Sequence, residues 1–520
     1  MLVSILVFLI SLSTVIMIHE LGHFLMAKRA GILCHEFSIG MGPLLWSTKK
    51  GETVYAIRAI PIGGYVMMAG EEMDDEMVKV GMEVRLQFDD KNHVEKIVID
   101  PENEDYNHLE EVLVERVDLK GIDDSELYIN AYRVNRDAMM IMPKREIQIA
   151  PHNRSFESKT IIERFLAIFA GPFMNFVLAL LVFLAVNLYV GVPDLDNNTL
   201  GSVSPNYPAD TVLEAGDEII SIEGEPTDSW TDITTELNGL VGDRSITITY
   251  NRDGQVNSKQ IIPTLYFYSI GFHSAKETGD ALEIGEVAEG TKAESAGFQA
   301  GDVIVSIDGT PMNTWTDVVN KIEAISLNIP TDDNPVNVDF VVSRDGEEET
   351  LTVSDPYSKA FLETQNLPVV DSYIGIGPVY NFNFVKSVQN GFSQLKSSTM
   401  IIFTTIGLLF DSDGAGAGIG VGELAGPVGI FEITSRALEQ GVISLLNWIG
   451  LLSVNLGIIN LLPIPALDGG RLVFLGYEGV TKRKPNKKVE NTLHYVMYLA
   501  LMGLFIYVTF NDILRLFNIR

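Results

Sequence analysis

The stretch His19-Glu20-Leu21-Gly22-His23 places two imidazoles and a carboxylate inside a run that is otherwise largely apolar from Met1 to Ala27. A run of that length and composition suits a bilayer span, where ionisable groups cost several kcal/mol unless paired or coordinated. Three of them together call for a compensating partner, and a metal ion is one. On a helix, two histidines four residues apart sit one turn above each other and can both ligate a tetrahedral metal such as Zn²⁺. Glu20 then stands beside them as the base that takes a proton from a metal-acidified water. The competing reading is a soluble helix whose histidines are satisfied by neighbours, and the segment is too long and too apolar for it.

The chain has 520 residues, enough for three or four domains. Its mean hydropathy of +0.18 comes with concentrated apolar runs, which marks an integral membrane protein carrying soluble modules. A single cysteine, Cys34, leaves no intramolecular disulfide and no cysteine-rich zinc cluster, so metal ligands must be His, Asp or Glu. The formal charge of −32 argues against nucleic acid, whose phosphates need Lys and Arg clusters. An acidic surface suits solubility or a salty habitat. The N-terminus lacks the basic stretch of a secretory signal and its apolar run carries the metal motif, so residues 1–30 read as a retained first span.

Further apolar stretches predict spans at 158–192, 440–470 and 490–512. Lys28-Arg29 and the basic cluster at 482–488 are both expected on the cytoplasmic side. Four helices then leave both termini outside. Residues 400–410 are too short to cross, and with the residues before them predict an interfacial helix at 385–412. Between 31 and 70, short β-prone pieces punctuated by glycine (EFSIGMG, GETVYAIRAI, GGYVMM) predict a membrane-associated β segment. Non-helical backbone at membrane depth is tolerated where it lines a cavity, which makes this segment a wall of the metal site. Its stretch 54–58 is expected to form an edge strand, with Val54, Ala56 and Arg58 pairing with an unwound substrate by β-augmentation. Residues 71–157 alternate apolar and polar side chains and predict an acidic, β-rich cytoplasmic insert.

The part between the second and third spans repeats. EAGDEIISIEGEPTDSWTDI at 214–233 returns as QAGDVIVSIDGTPMNTWTDV at 299–318 with about half its positions identical. Two copies of one module are expected, at 197–272 and 273–378. The A-G-D-x-I-x-S-I-x-G run resembles the central strand and turn of a bacterial, circularly permuted PDZ domain. Each copy is followed by a step, Ile270-Gly271-Phe272 and Ile374-Gly375-Ile376, that resembles the carboxylate-binding loop of that family, which would capture a peptide C-terminus.

A catalytic zinc site wants a third protein ligand, and Asp468 in N-L-L-P-I-P-A-L-D-G-G is the candidate. The third span runs from outside to inside, so Asp468 falls near the cytoplasmic side, at the depth of His23. Pro463 and Pro465 break the helix and free the chain to turn inward. The other reading of Asp468 is a turn residue capping the next helix.

Together, a membrane H-E-L-G-H, an N-x-x-P-x-P-x-x-D-G in a later span, G-P-F-M-N at 171–175 and the tandem modules resemble the site-2 protease family, and its RseP-type bacterial zinc metalloproteases in particular. The resemblance implies zinc at His19, His23 and Asp468, Glu20 as catalytic base, and substrate contacts from Asn455 and Asn460. It also implies single-pass membrane proteins or signal-peptide remnants as substrates, in the plasma membrane of a bacterium. The insert at 71–157 departs from the enterobacterial type. The fold class expected is a multi-domain integral membrane α+β protein: four transmembrane helices, a membrane-associated β segment, two extracytoplasmic PDZ-like domains and a β-rich insert. The function expected is an intramembrane zinc endopeptidase. The alternative is a non-catalytic membrane scaffold or chaperone that binds peptide tails and holds zinc structurally, and Glu20 separates the two, because a structural site needs no base beside its open position.

Overall fold

A computed structural model of the protein describes the chain except Met1 and residues 72–77, 101–103, 123–124, 144, 206, 241–244, 276–281, 289–290, 330–335, 360–361, 363–366, 411–424 and 517–520. It divides into two compact units, one of residues 1–182 with 430–504, the other of residues 183–429 with 505–520.

Among the described residues, four helices are long and apolar enough to cross a membrane. They are α1 (Leu2–Arg29), α2 (Ile161–Val190), α5 (Val442–Leu461) and α7 (Lys487–Leu516). Between α2 and α5 run α3 (Phe384–Phe410) and α4 (Pro427–Glu439), and α6 (Asp468–Thr481) follows α5. The α3 helix covers residues 385–410 of the segment expected at 385–412, whose last two residues, 411 and 412, lie outside the described part. The separate helices α4 and α6 are additions to the sequence reading.

In the first unit, α1 leads directly into two long strands, β1 (Cys34–Lys50) and β2 (Thr53–Met68). Each bends back on itself, so that residues 36–39 pair on one side with 64–67 and on the other with 54–57. Residues 44–50 then pair with the far side of 53–58. The result is a four-stranded ribbon in the order 44–50, 53–58, 36–39, 64–68. The bends fall at Gly40 (φ +84°) and Gly63 (φ +100°), backbone conformations that an L side chain rarely adopts. This overturns the edge-strand reading of 54–58. Val54 and Ala56 lie in an interior strand paired on both sides, while Arg58 is bound to Glu36 (2.6 Å), Ser38 and the carbonyl of Gly42. Alternation and glycine spacing predicted strands here, but could not say which pieces pair across a double bend.

The insert is a seven-stranded sheet with its own apolar core around Val94, Ile97, Ile129 and Met140. It is fastened where it leaves and rejoins the membrane part. The N–H of Phe156 donates to Ala69 (2.7 Å), and Glu52 accepts from both Lys28 (2.5 Å) and Arg154 (2.8 Å).

The second unit holds the repeats, and their boundary is not at 272. One core gathers Leu200, Ile219, Ile222, Trp230 and Ile248 together with Ile374, and the strand Leu200–Val203 pairs with Ile376–Pro378. The other core runs from Leu265 to Val370 and contains Ile270 and Phe272. The second module is therefore inserted within the first, entered by Thr264–Phe267 and left by the antiparallel Val370–Tyr373. Ile270-Gly271-Phe272 belongs to the second module, and Ile374-Gly375-Ile376 closes the first. In the second, the N–H groups of Ile270 and Gly271 both donate to the Phe267 carbonyl (3.2 and 2.7 Å). The strand Phe272–Ser274 is also paired on both sides, so the capture of a peptide end expected at this step is blocked. In the first module, Ile376–Pro378 pairs on one side only among the described strands.

Both modules share one polar anchor. Asp217, buried, accepts Arg252 at 2.7 Å and the N–H of Glu214 at 2.8 Å. Asp302 repeats this with Arg344 (2.7 Å) and the N–H of Gln299 (2.8 Å). The repeated A-G-D thus supplies a carboxylate that closes the turn before each central strand and is neutralised by an arginine at the end of the adjacent strand.

Candidate metal centre

His19 and His23 lie on one face of α1, both buried, with their Nε2 atoms 3.1 Å apart. The Oδ2 atom of Asp468 approaches them at 3.2 and 3.3 Å. Tetrahedral coordination at zinc's usual distances of about 2.0–2.1 Å sets ligand atoms roughly 3.3–3.4 Å apart, which is this spacing.

Glycines make the approach possible. Gly22 on α1 meets the backbone of Ala170 so closely that a Cβ would strike its carbonyl, and a Cβ on Gly171 would fall within the His23 ring. On the other side, a Cβ on Gly469 or Gly470 would collide with the carbonyls of the preceding 461–464 turn. The first turn of α6 thus tucks under the end of α5, and Asp468, its first residue, is aimed at the histidines. The connecting loop carries Ala466 at φ +81°, whose N–H donates to Nδ1 of His494 on α7 (2.8 Å). Both readings of Asp468 thus meet: it opens a helix, though without capping it, and it faces the metal motif.

The placement of protons on these groups suits a cation among them. A carbonyl oxygen only accepts, so the contact of 2.9 Å between His23 Nδ1 and Ala167 O places the proton on Nδ1 and leaves Nε2 with a lone pair. Asp468 Oδ2 is buried and receives no hydrogen bond of acceptable geometry from either ring. Electron-rich atoms thus converge in a buried space, an arrangement that repels itself unless a cation sits among them. Two imidazoles and a carboxylate are a donor set suited to Zn²⁺. Among the described residues, this is the group of three His, Cys, Asp or Glu side chains placed to hold a metal ion.

Glu20 projects from the same turn of α1 and lies against the strand 64–68, where a Cβ on Gly64 would come within 3.0 Å of its Cγ. The strand 64–68 is an outer strand of the ribbon and pairs with β1 on one side only among the described strands. Asn455 and Asn460 on α5 are half-buried, and neither side chain has a hydrogen-bond partner among the described residues. Sequence reasoning named G-P-F-M-N without a role for it. The fold gives Gly171 one, and places Asn175, fully buried, beside His19.

A model of Peptidase family M50 matches residues 7–504. The chain is similar to zinc metalloprotease RasP of Geobacillus kaustophilus, at 32% identity over 99% of this chain and 98% of that one. It is likewise similar to zinc metalloprotease RasP of Bacillus licheniformis, at 33% identity over 99% of both. Among solved structures it resembles the PDZ domain of the SdrC-like protein of Listeria monocytogenes at 23% identity, over 16% of this chain and 79% of that one, with a TM-score of 0.13, too slight to carry an argument. A family match running through both halves of the metal centre, with full-length relatives above 30% identity, means that the chain belongs to peptidase family M50, the zinc metalloproteases of the site-2 type.

Proposed function

We propose that the protein hydrolyses peptide bonds of single-pass membrane proteins or signal-peptide remnants, with zinc held by His19, His23 and Asp468 and Glu20 as the catalytic base. When bound, zinc supplies the Lewis acidity that polarises the scissile carbonyl and makes a water easier to deprotonate. The observation that carries this reading is the convergence of the Asp468 carboxylate on two buried histidines from a distant part of the chain, with Glu20 beside them. Glu20 takes the proton of the attacking water and returns it to the leaving amine. Its place against Gly64 holds the carboxylate in reach of both the water and a substrate lying along the ribbon.

A transmembrane helix keeps its N–H and C=O groups paired i to i−4, so the target bond must unwind before it can be attacked. Freed backbone groups in lipid need new partners. The outer strand 64–68 supplies them by β-augmentation, in place of 54–58, and Asn460 offers its amide to a freed carbonyl. The two PDZ-like modules, on the extracytoplasmic side of a bacterial plasma membrane, exclude substrates whose ectodomains have not been trimmed, and the metal centre lies toward the cytoplasm. The nested arrangement favours the first module as the one with an open strand edge.

The test is cleavage of a panel of single-span peptides by the purified protein, with and without a chelator. Chelator-sensitive hydrolysis inside the span is expected. Peptide binding without hydrolysis would leave the scaffold reading standing instead.

A further inference from the structure

The structure assigns Asn175 a task toward the metal centre: it holds the His19 ring in the tautomer and orientation that leave Nε2 free for the metal. The inference rests on His19, His23 and Asp468 being the ligands.

Asn175 is fully buried on α2, with its carboxamide 3.2 Å from Nδ1 of His19. The two orientations of that carboxamide have opposite consequences. If the NH₂ faced the ring, it would donate to Nδ1, the ring proton would sit on Nε2, and the atom 3.1 Å from the other histidine could not bind a metal. A half-turn about the Cβ–Cγ bond exchanges the two groups. Oδ1 then accepts the Nδ1–H of His19, and the lone pair on Nε2 points to Asp468. Which carboxamide atom is which is fixed by hydrogen-bond chemistry, and here the chemistry selects the second orientation.

The backbone keeps Asn175 in place. Its carbonyl accepts the hydroxyl of Ser453 on α5 (2.8 Å), and Gly457 packs against its Cβ (a Cβ on that glycine would lie at 3.4 Å). Ala167, Gly171 and Asn175 form one stripe of α2 at steps of four residues. The stripe gives an acceptor to His23, clearance for its ring, and an acceptor to His19. Each ligating histidine thus has its non-ligating nitrogen bound to an oxygen from the same helix, an arrangement that fixes ring orientation and raises ligand basicity. Asn175 is a positioning residue; it acts through His19.

The test is a zinc competition titration with a chromophoric chelator on the full-length protein in detergent, for the parent and for Asn175→Ala, Asn175→Asp and His19→Ala. Melting of each metal-free protein is measured alongside. Asn175→Ala is expected to weaken zinc binding about 10- to 100-fold, the usual effect of removing such a partner. Asn175→Asp, which restores an acceptor oxygen of the same shape, is expected to stay within about threefold of the parent. A role in packing alone would not distinguish the two in this order. Parental zinc affinity in a folded Asn175→Ala protein overturns the inference. Should that variant fail to fold, Asn175→Asp decides, and a tenfold loss in it overturns the inference equally. His19→Ala separates this from failure of the ligand assignment. If it keeps zinc, the ligand set is wrong; if it loses zinc while Asn175→Ala does not, only the role of Asn175 falls.

Discussion

The Nδ1–H of His23 donates to the carbonyl oxygen of Ala167 across 2.9 Å, which makes a backbone atom of α2 the group that fixes this ligand's tautomer. The bond forms only because α1 and α2 touch at glycines. With the proposed ligands His19, His23 and Asp468, the packing surface of α2 sets the orientation of a ligand carried by α1.

Gly171→Ala tests that contact. In a helix interior this change alone would stabilise by about 0.5–1 kcal/mol, but here the added Cβ lands in the His23 ring. Zinc affinity should fall at least tenfold and turnover at least 100-fold, measured by metal competition and by peptide cleavage. Parental zinc binding in a folded variant would show that the helices can part without harm.

Gly64→Ala addresses Glu20 instead. The new methyl would press on the Ser38 carbonyl (2.9 Å) and on Glu20 Cγ (3.0 Å). Misplacement of a catalytic group by about 1 Å costs up to 100-fold in rate. The expected outcome is a turnover loss of roughly tenfold or more with zinc content unchanged, so the rate and the metal analysis must separate.

The outer strand can be tested with proline, which removes an N–H. At alternate positions along 64–67 the N–H faces either β1 or the open edge, and the variant that loses the open-edge donor should cleave slowly while keeping zinc. Substrates with helix-weakening glycines at the cut site should suffer least. Proline at Thr48, on the opposite outer strand, should leave turnover near the parental level. Equal rates in all of them would move the substrate away from the ribbon.

The modules offer a pH prediction. Burial alone would raise the Asp217 carboxyl, but the Arg252 guanidinium and the Glu214 N–H hold it below the usual carboxylate range. A carboxyl lowered by folding contributes stability above its unfolded pKa of about 4, and loses it as pH falls through the lower folded value. Asp217→Asn should therefore destabilise the first module by about 2–3 kcal/mol at neutral pH, a figure reduced because Arg252 is partly exposed. The gap from the parent should shrink below about pH 4. A gap independent of pH, in thermal melts, would mean that the charge is not what stabilises.

The spans, the insert, the repeats and three of the metal-site residues were legible because each is written in a local pattern. His19 and His23 declare themselves by spacing, and Asp468 by its prolines and glycines. The ribbon was half legible. Alternation marks strands, but the double bend at Gly40 and Gly63 decides which of them is outermost, and that is a long-range choice. The nesting of the modules was hidden for a similar reason, since Ile374 follows the second repeat in sequence and packs into the core of the first. Asn175 was visible only as part of a motif. Nothing local says which ring it meets, because the ring lies 156 residues earlier in the chain.

Glu20 and Asp468 divide the labour of the proposed site between base and ligand, and zinc stoichiometry of purified Glu20→Gln and Asp468→Ala proteins, read beside peptide cleavage, tests that division most directly. Neither variant should cleave. Glu20→Gln should retain one zinc per chain, because a base can be removed without touching a ligand, whereas Asp468→Ala should retain little or none. Full zinc occupancy in Asp468→Ala, or zinc loss in a folded Glu20→Gln, would contradict the assignment of the site.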